Sequence, residues 1–200
     1  MSKTIFVMNL AHEYTHARQI LNGEDANQDL YKKVKEAGIP LEAFSQIHET
    51  AFACYSAIGG NIMRMVTEKI LGKEGEQSYK TTGGLVLLNR NISDDQIAQA
   101  IGFSNADIMK KNFIKSVGVF ERFALRLCRN VPAIKNMYIS NPTRTISLIS
   151  ELLIEYCKNS SRQEKEAYLT ENIIARKQGF EDKGLEVAYK YHELIEETFS

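Results

Sequence analysis

The stretch Leu10-Ala-His-Glu-Tyr-Thr-His-Ala-Arg-Gln19 sets His12 and His16 four residues apart, so on a helix both imidazoles leave one face about a turn apart. Two ring nitrogens placed in this way can meet one ion. A catalytic zinc takes three protein ligands and keeps a water position open, and Glu13, one residue round from His12, can reach that water without ligating the metal. Zinc brings the pKa of such a water toward about 7, which makes hydroxide available at neutral pH, and Glu13 is the candidate general base. The neighbours fit a helix packed behind a metal. Ala11, Tyr14, Thr15 and Ala17 are uncharged, and Phe6, Val7 and Leu10 form an apolar lead-in.

Outward from this segment the chain reads as mostly helical, with no internal repeat and no flexible interdomain linker. Thr4–Asn9 is short, apolar and partly β-branched, and is expected to be an edge strand; the helix after it closes at Asn22-Gly23. Further helices are expected over Gln28–Ala37 and Leu41–Ala57. The second carries Leu41, Phe44, Ile47, Ala51, Phe52 and Tyr55 at helical spacing, and the pattern resumes after a kink or a break at Gly59-Gly60. Gly72–Gly84 is polar and glycine-rich and is the best candidate loop, and Leu85–Leu88 is ambiguous between strand and helix. Ser93-Asp-Asp-Gln96 is a capping box that starts a helix. Helices are then expected over Asn105–Val117, Val119–Arg129, Thr143–Lys158, Gln163–Lys177 and Lys183–Phe199, with a turn over Tyr138–Pro142. In the last helix, His192 lies on an apolar stripe and reads as a core histidine. The fold class is therefore mainly α, a helical domain with at most a small β-sheet. Residues 1–72 are expected to carry the metal-binding core, and residues 73–200 form a helical C-terminal part packed on the same domain.

Composition excludes several classes. With 44% hydrophobic and 25% charged residues the chain is neither disordered nor low-complexity. Its 25 basic and 25 acidic residues cancel, so no global field draws it to nucleic acid or membrane. No apolar run approaches the roughly 18 residues of a membrane span, and charge interrupts the N-terminus before a signal-peptide core is complete. The expected location is cytoplasmic, with no membrane partner. Cys54, Cys128 and Cys157 are odd in number and widely spaced, as buried thiols rather than a disulfide framework or a cysteine zinc site.

The Leu10–Gln19 segment, LAHEYTHARQ, resembles the active-site helix of zincin metallopeptidases, and is similar to the LAHELTHARQ-type versions of bacterial zincins. The resemblance covers about the first 60 residues. It implies a zinc-dependent peptidase acting on a peptide or protein substrate, with one Zn2+ held by His12 and His16 and with Glu13 as the base. Gln19 and Asn22 stand where the metzincin continuation needs glycine and histidine, so the third ligand is expected from another helix. A Glu followed by small residues resembles the third-ligand helix of gluzincins, and this points to Glu49 in QIHETAFACYSA, with Ala53 one turn on for close packing and His48 as the competing ligand. Zincin chemistry also needs a donor beside the developing oxyanion. Tyr55, His48, Arg64 and Tyr79 are the candidates, with no motif to choose among them. The substrate-binding sheet usual in the family is expected from Thr4–Asn9, from Leu85–Leu88, or from sequence outside this chain.

A second resemblance lies in the middle. Gln96–Gly118, QIAQAIGFSNADIMKKNFIKSVG, is similar to the second helix-turn-helix of AraC-type transcription regulators in Ile97-Ala98, the turn Gly102-Phe103-Ser104-Asn105, Phe113 and Gly118. It implies a helix from near Asn105 in a major groove, with Lys110, Lys111 and Lys115 near phosphates. The proline and tyrosine usual beyond the last glycine are absent, Glu121 standing at the proline position. A capped helical hairpin gives the same pattern, so nucleic acid is the alternative partner rather than the expected one.

Overall fold

A computed structural model describes residues 3–71, 92–179 and 183–200, and among them there are helices and turns but no strand. Helix α1 spans Lys3–Leu21 and α2 spans Ala26–Glu36, whose first turn is capped by the Asp25 carboxylate accepting from the amides of Asn27 and Gln28. A single 3-10 turn, Leu41–Ala43, runs into α3, Phe44–Tyr55. Next comes a π-helical segment, Ser56–Ile62, after which residues 63–71 are again α-helical. The glycine pair thus widens the helix instead of breaking it. Beyond residues 72–91, α4 spans Asp94–Ile101, α5 Ala106–Val117, α6 Val119–Asn130, α7 Pro132–Ser140, α8 Pro142–Lys177 and α9 Lys183–Thr198.

The ends of these helices follow from local chemistry. The Ser93–Gln96 capping box forms as expected, Gly102 closes α4 at φ +105, and Asn105 caps α5 by accepting from the Ile108 amide. Asn141 caps α8 in the same way, and Pro142 takes the first helical position, where no amide proton is needed. Only Asn141 separates α7 from α8, so the expected turn over Tyr138–Pro142 contracts to one residue.

Two expectations are corrected. Thr4–Asn9 is helical, not an edge strand: Met8 falls on the same face as Thr15 and Gln19, all three buried, so the lead-in continues the period of the His-bearing segment. The helices expected over Thr143–Lys158 and Gln163–Lys177 are one helix of 36 residues. The polar stretch Lys158-Asn-Ser-Ser-Arg-Gln163 has no glycine or proline, and its turn-favouring side chains are absorbed by tertiary contacts. Asn159 donates to the Asp29 carboxylate at 2.7 Å, and Ser160 and Ser161 are buried. The Gly72–Gly84 loop and the Leu85–Leu88 segment lie outside the described residues.

At 1.5 Å per residue α8 is about 54 Å long, and α1, α2, α3, α6, α7 and α9 all pack on it. One continuous apolar cluster follows from this. Ile149, Leu153 and Cys157 of α8 meet Ile47, Ala51 and Cys54 of α3, Leu30 and Val34 of α2, Ala124 and Cys128 of α6, and Val187, Leu194 and Ile195 of α9. The Tyr191 hydroxyl of α9 donates to the Ile58 carbonyl at 2.6 Å, which ties the π-helical segment to the last helix. No described helix is long and apolar enough to cross a membrane.

Candidate metal centre

α1 carries Met8, His12, Thr15, His16 and Gln19 on the face toward α8, because residues spaced by four, seven and eleven share one side of a helix. Opposite them, α8 presents Glu164, Tyr168 and Glu171, spaced four and three residues apart. Ala167 between them is fully buried, and its small side chain lets the two helices approach. The result is a convergence of two ring nitrogens and one carboxylate. His12 Nε2 lies 3.2 Å from His16 Nε2 and 3.4 Å from Glu164 Oε2, and His16 Nε2 lies 3.5 Å from Glu164 Oε1.

The hydrogen bonds behind the rings fix which atoms face inward. Gln19 donates its amide Nε2–H to the Gln163 carbonyl at 3.2 Å and to the Glu166 carboxylate at 2.9 Å, so its Oε1 must face His16 Nδ1, 3.0 Å away, and that ring nitrogen donates. His12 Nδ1 donates to the Glu171 carboxylate at 3.1 Å. With both Nδ1 atoms protonated, both neutral rings present lone pairs from Nε2 to each other and to the Glu164 carboxylate. Two ring lone pairs and a carboxylate this close repel unless a proton or a cation stands among them. Donor atoms bound at about 2.0–2.1 Å to a tetrahedral zinc stand about 3.3 Å apart, close to the separations seen here. The carboxylate and amide behind the rings are the second partners that orient metal-binding imidazoles.

Electrostatics agree with a site built for positive charge. Burial opposes the charged form of His12, but hydrogen bonds to Glu164 and Glu171 and the charges of both carboxylates outweigh it and raise its pKa to about 9. Burial would raise the Glu164 pKa, yet its hydrogen bond to His12 and the neighbouring histidines hold it below the usual carboxylate range. Without metal, a proton on His12 bridges the donors. Tyr168 packs edge-on against His12, with centroids 4.9 Å apart, and stacks on His192 at 5.7 Å. His192 is a core histidine as its stripe suggests. Burial pushes its pKa down to about 4, and its Nδ1 has no hydrogen-bond partner among the described residues.

The expected site residues divide sharply. His12 and His16 are brought together, and Glu13 is exposed on α1 and outside that group. Glu49 is not part of the group: it is exposed on α3, with Ser45 Oγ donating to it at 3.4 Å, and Glu164 occupies the third position instead. His48 bonds Asn27 at 2.6 Å and stacks on Phe44, so it does not join either. Arg64 is paired with Glu68, and Tyr79 lies outside the described residues. Glu164 escaped sequence reasoning: it stands 148 residues beyond His16 and is followed by Lys165 and Glu166, without the small residues that favoured Glu49.

A cleft of about 210 Å³ opens beside the group, lined by His16, Glu164, Ile20, Phe52, Tyr55 and Tyr156 among others. The helix-turn-helix-like segment is elsewhere. There, α4 and α5 form a capped hairpin, Met109 and Phe113 are buried, and α5 packs on α9, where Lys110 pairs with Glu197. No family model, no curated protein and no solved structure matches this chain.

Proposed function

We propose that this chain is a zinc-dependent hydrolase of peptide bonds whose ion is held by His12, His16 and Glu164. The observation that carries the reading is the meeting of the two Nε2 atoms, 3.2 Å apart, with the Glu164 carboxylate, whose Oε2 lies 3.4 Å from His12 and whose Oε1 lies 3.5 Å from His16, set on an HExxH helix and backed by Glu171 and Gln19. Two imidazoles and one carboxylate are the donor set of zinc peptidase sites, which supports zinc over calcium or magnesium, ions that prefer oxygen donors alone. When bound, zinc supplies a water acidified toward neutral pH and polarises the substrate carbonyl. Glu13 would take a proton from the attacking water and deliver it to the leaving amine. Glu171 and Gln19 keep both rings in the tautomer that leaves Nε2 free to bind. The cleft lined by Phe52, Ile20 and Tyr55 receives the substrate beside the donors.

The test is metal content of the chain purified without added metal, followed by turnover of a peptide library. About one zinc per chain, lost in His12→Ala, with cleavage abolished in Glu13→Gln while zinc stays, supports the proposal. A second reading, a zinc-stabilised module without catalysis, is favoured by one observation: the buried apolar contact around α1 is small, with Met8 grouped with Ala175 and Leu185 apart from the main cluster. In that case zinc would fasten α1 to α8, and Glu13→Gln would change nothing.

A further inference from the structure

Tyr55 is the last residue of α3 and stands where the π-helical segment begins. Its ring shares the cleft with His16 and Glu164. The ring and hydroxyl lie back over Gly59: a Cβ at that position would come within 2.6 Å of Cε2 and Cζ and within 2.8 Å of the hydroxyl oxygen. Only a residue without a side chain leaves room for the phenol there. Gly60, the next residue, has nothing within 4 Å of the same position, so the requirement belongs to Gly59 alone. The π-helical turn that places Gly59 under the ring is also held by the Tyr191 hydroxyl, which donates to the Ile58 carbonyl. π-helical turns inside α-helices recur at functional sites, where they redirect one side chain. His192 lies behind the ring, centroids 6.3 Å apart.

We propose that Tyr55, seated in the gap at Gly59, donates a hydrogen bond to the oxygen ligand that completes the metal group, with Gly59 as the positioning residue for that donor. The inference rests on the metal reading above and names the group that stabilises negative charge on the substrate oxygen, a role in which one donor commonly counts for 10²–10³ in rate.

The experiment uses the zinc-loaded chain and acetohydroxamate, a small ligand that binds zinc through oxygen, with affinity read by calorimetry. Tyr55→Phe keeps the ring and removes the donor, and is expected to weaken acetohydroxamate roughly tenfold while zinc affinity is unchanged. Gly59→Ala, which displaces the phenol, is expected to match it, Gly60→Ala to bind as the wild type, and the Tyr55→Phe/Gly59→Ala pair to be no weaker than Tyr55→Phe alone. Equal acetohydroxamate affinity in Tyr55→Phe and wild type overturns the proposal, as does a double variant whose losses add; should Gly59→Ala fail to fold, Tyr55→Phe decides. A chain that takes up no zinc overturns both readings. Tyr55-dependent acetohydroxamate binding without any peptide cleavage would sink the peptidase and leave this inference standing. Cleavage by a chain whose acetohydroxamate binding ignores Tyr55 would do the reverse.

Discussion

Helices α1 and α3 both lie on α8, but they are held by different forces. α3 buries Ile47, Ala51 and Cys54 in the main cluster, where each apolar side chain contributes on the order of 1.5–3 kcal/mol. α1 turns its larger apolar side chains outward: Phe6 is 53% exposed, Leu10 57%, Tyr14 70% and Leu21 86%. Apart from Met8, which packs with Ala175, what α1 gives to α8 is mainly polar, two histidines and a glutamine against Glu164, Glu171, Glu166 and the Gln163 carbonyl. Burial fixes the frame, and hydrogen bonds and ion pairs hold α1 to it.

That contrast can be broken at the site first. Glu164→Ala should remove zinc-induced stabilisation, which amounts to about 4 kcal/mol when free zinc exceeds its Kd a thousandfold, as read by denaturant melts with and without zinc. Glu49→Ala should melt like the wild type in the same assay. On the other side of the comparison, Leu153→Ala in the fully buried core should cost about 2–5 kcal/mol whether or not zinc is present.

Acidity separates the two regions next. The folded pKa of His12, about 9, lies above its ordinary 6.5, so the metal-free chain holds that contribution fully below pH 6.5 and loses it as pH rises through 9. His192 runs the other way. Its folded pKa of about 4 lies below 6.5, so the unfolded chain takes the proton first and stability falls as pH drops from 6.5 toward 4. Denaturant melts of the metal-free chain from pH 5 to pH 9 should show both slopes. His12→Gln should flatten the alkaline one and leave the acid one, and an alkaline slope that survives His12→Gln would sink the assignment. The smallest effect is expected at the exposed face of α1, where Leu21→Ala should change stability by less than about 0.5 kcal/mol.

Much of the fold was legible because the signals are local. The Ser93–Gln96 box, the Asn105 and Asn141 caps and Gly102 act within a few residues of themselves, and the structure realises each of them. The errors arose where a local signal was weak and a distant contact decided. Asn159, Ser160 and Ser161 favour a turn in isolation, but burial and the Asp29 partner carry α8 straight through them. Thr4–Asn9 is too short to reveal its period without the face that Met8 shares with Thr15 and Gln19.

The candidate site divides along the same line. By itself the sequence determined that His12 and His16 project together, because a four-residue spacing on a helix brings two rings to one face whatever the rest of the chain does. Only the tertiary structure decided their partners. Glu171 meets His12 across 159 residues, Glu164 comes from the same distant helix, and Tyr55 enters from a third. No period in the chain relates these positions. They meet because α8 is long enough to pack against α1 and α3 at once, and that contact follows from burying side chains along its whole length.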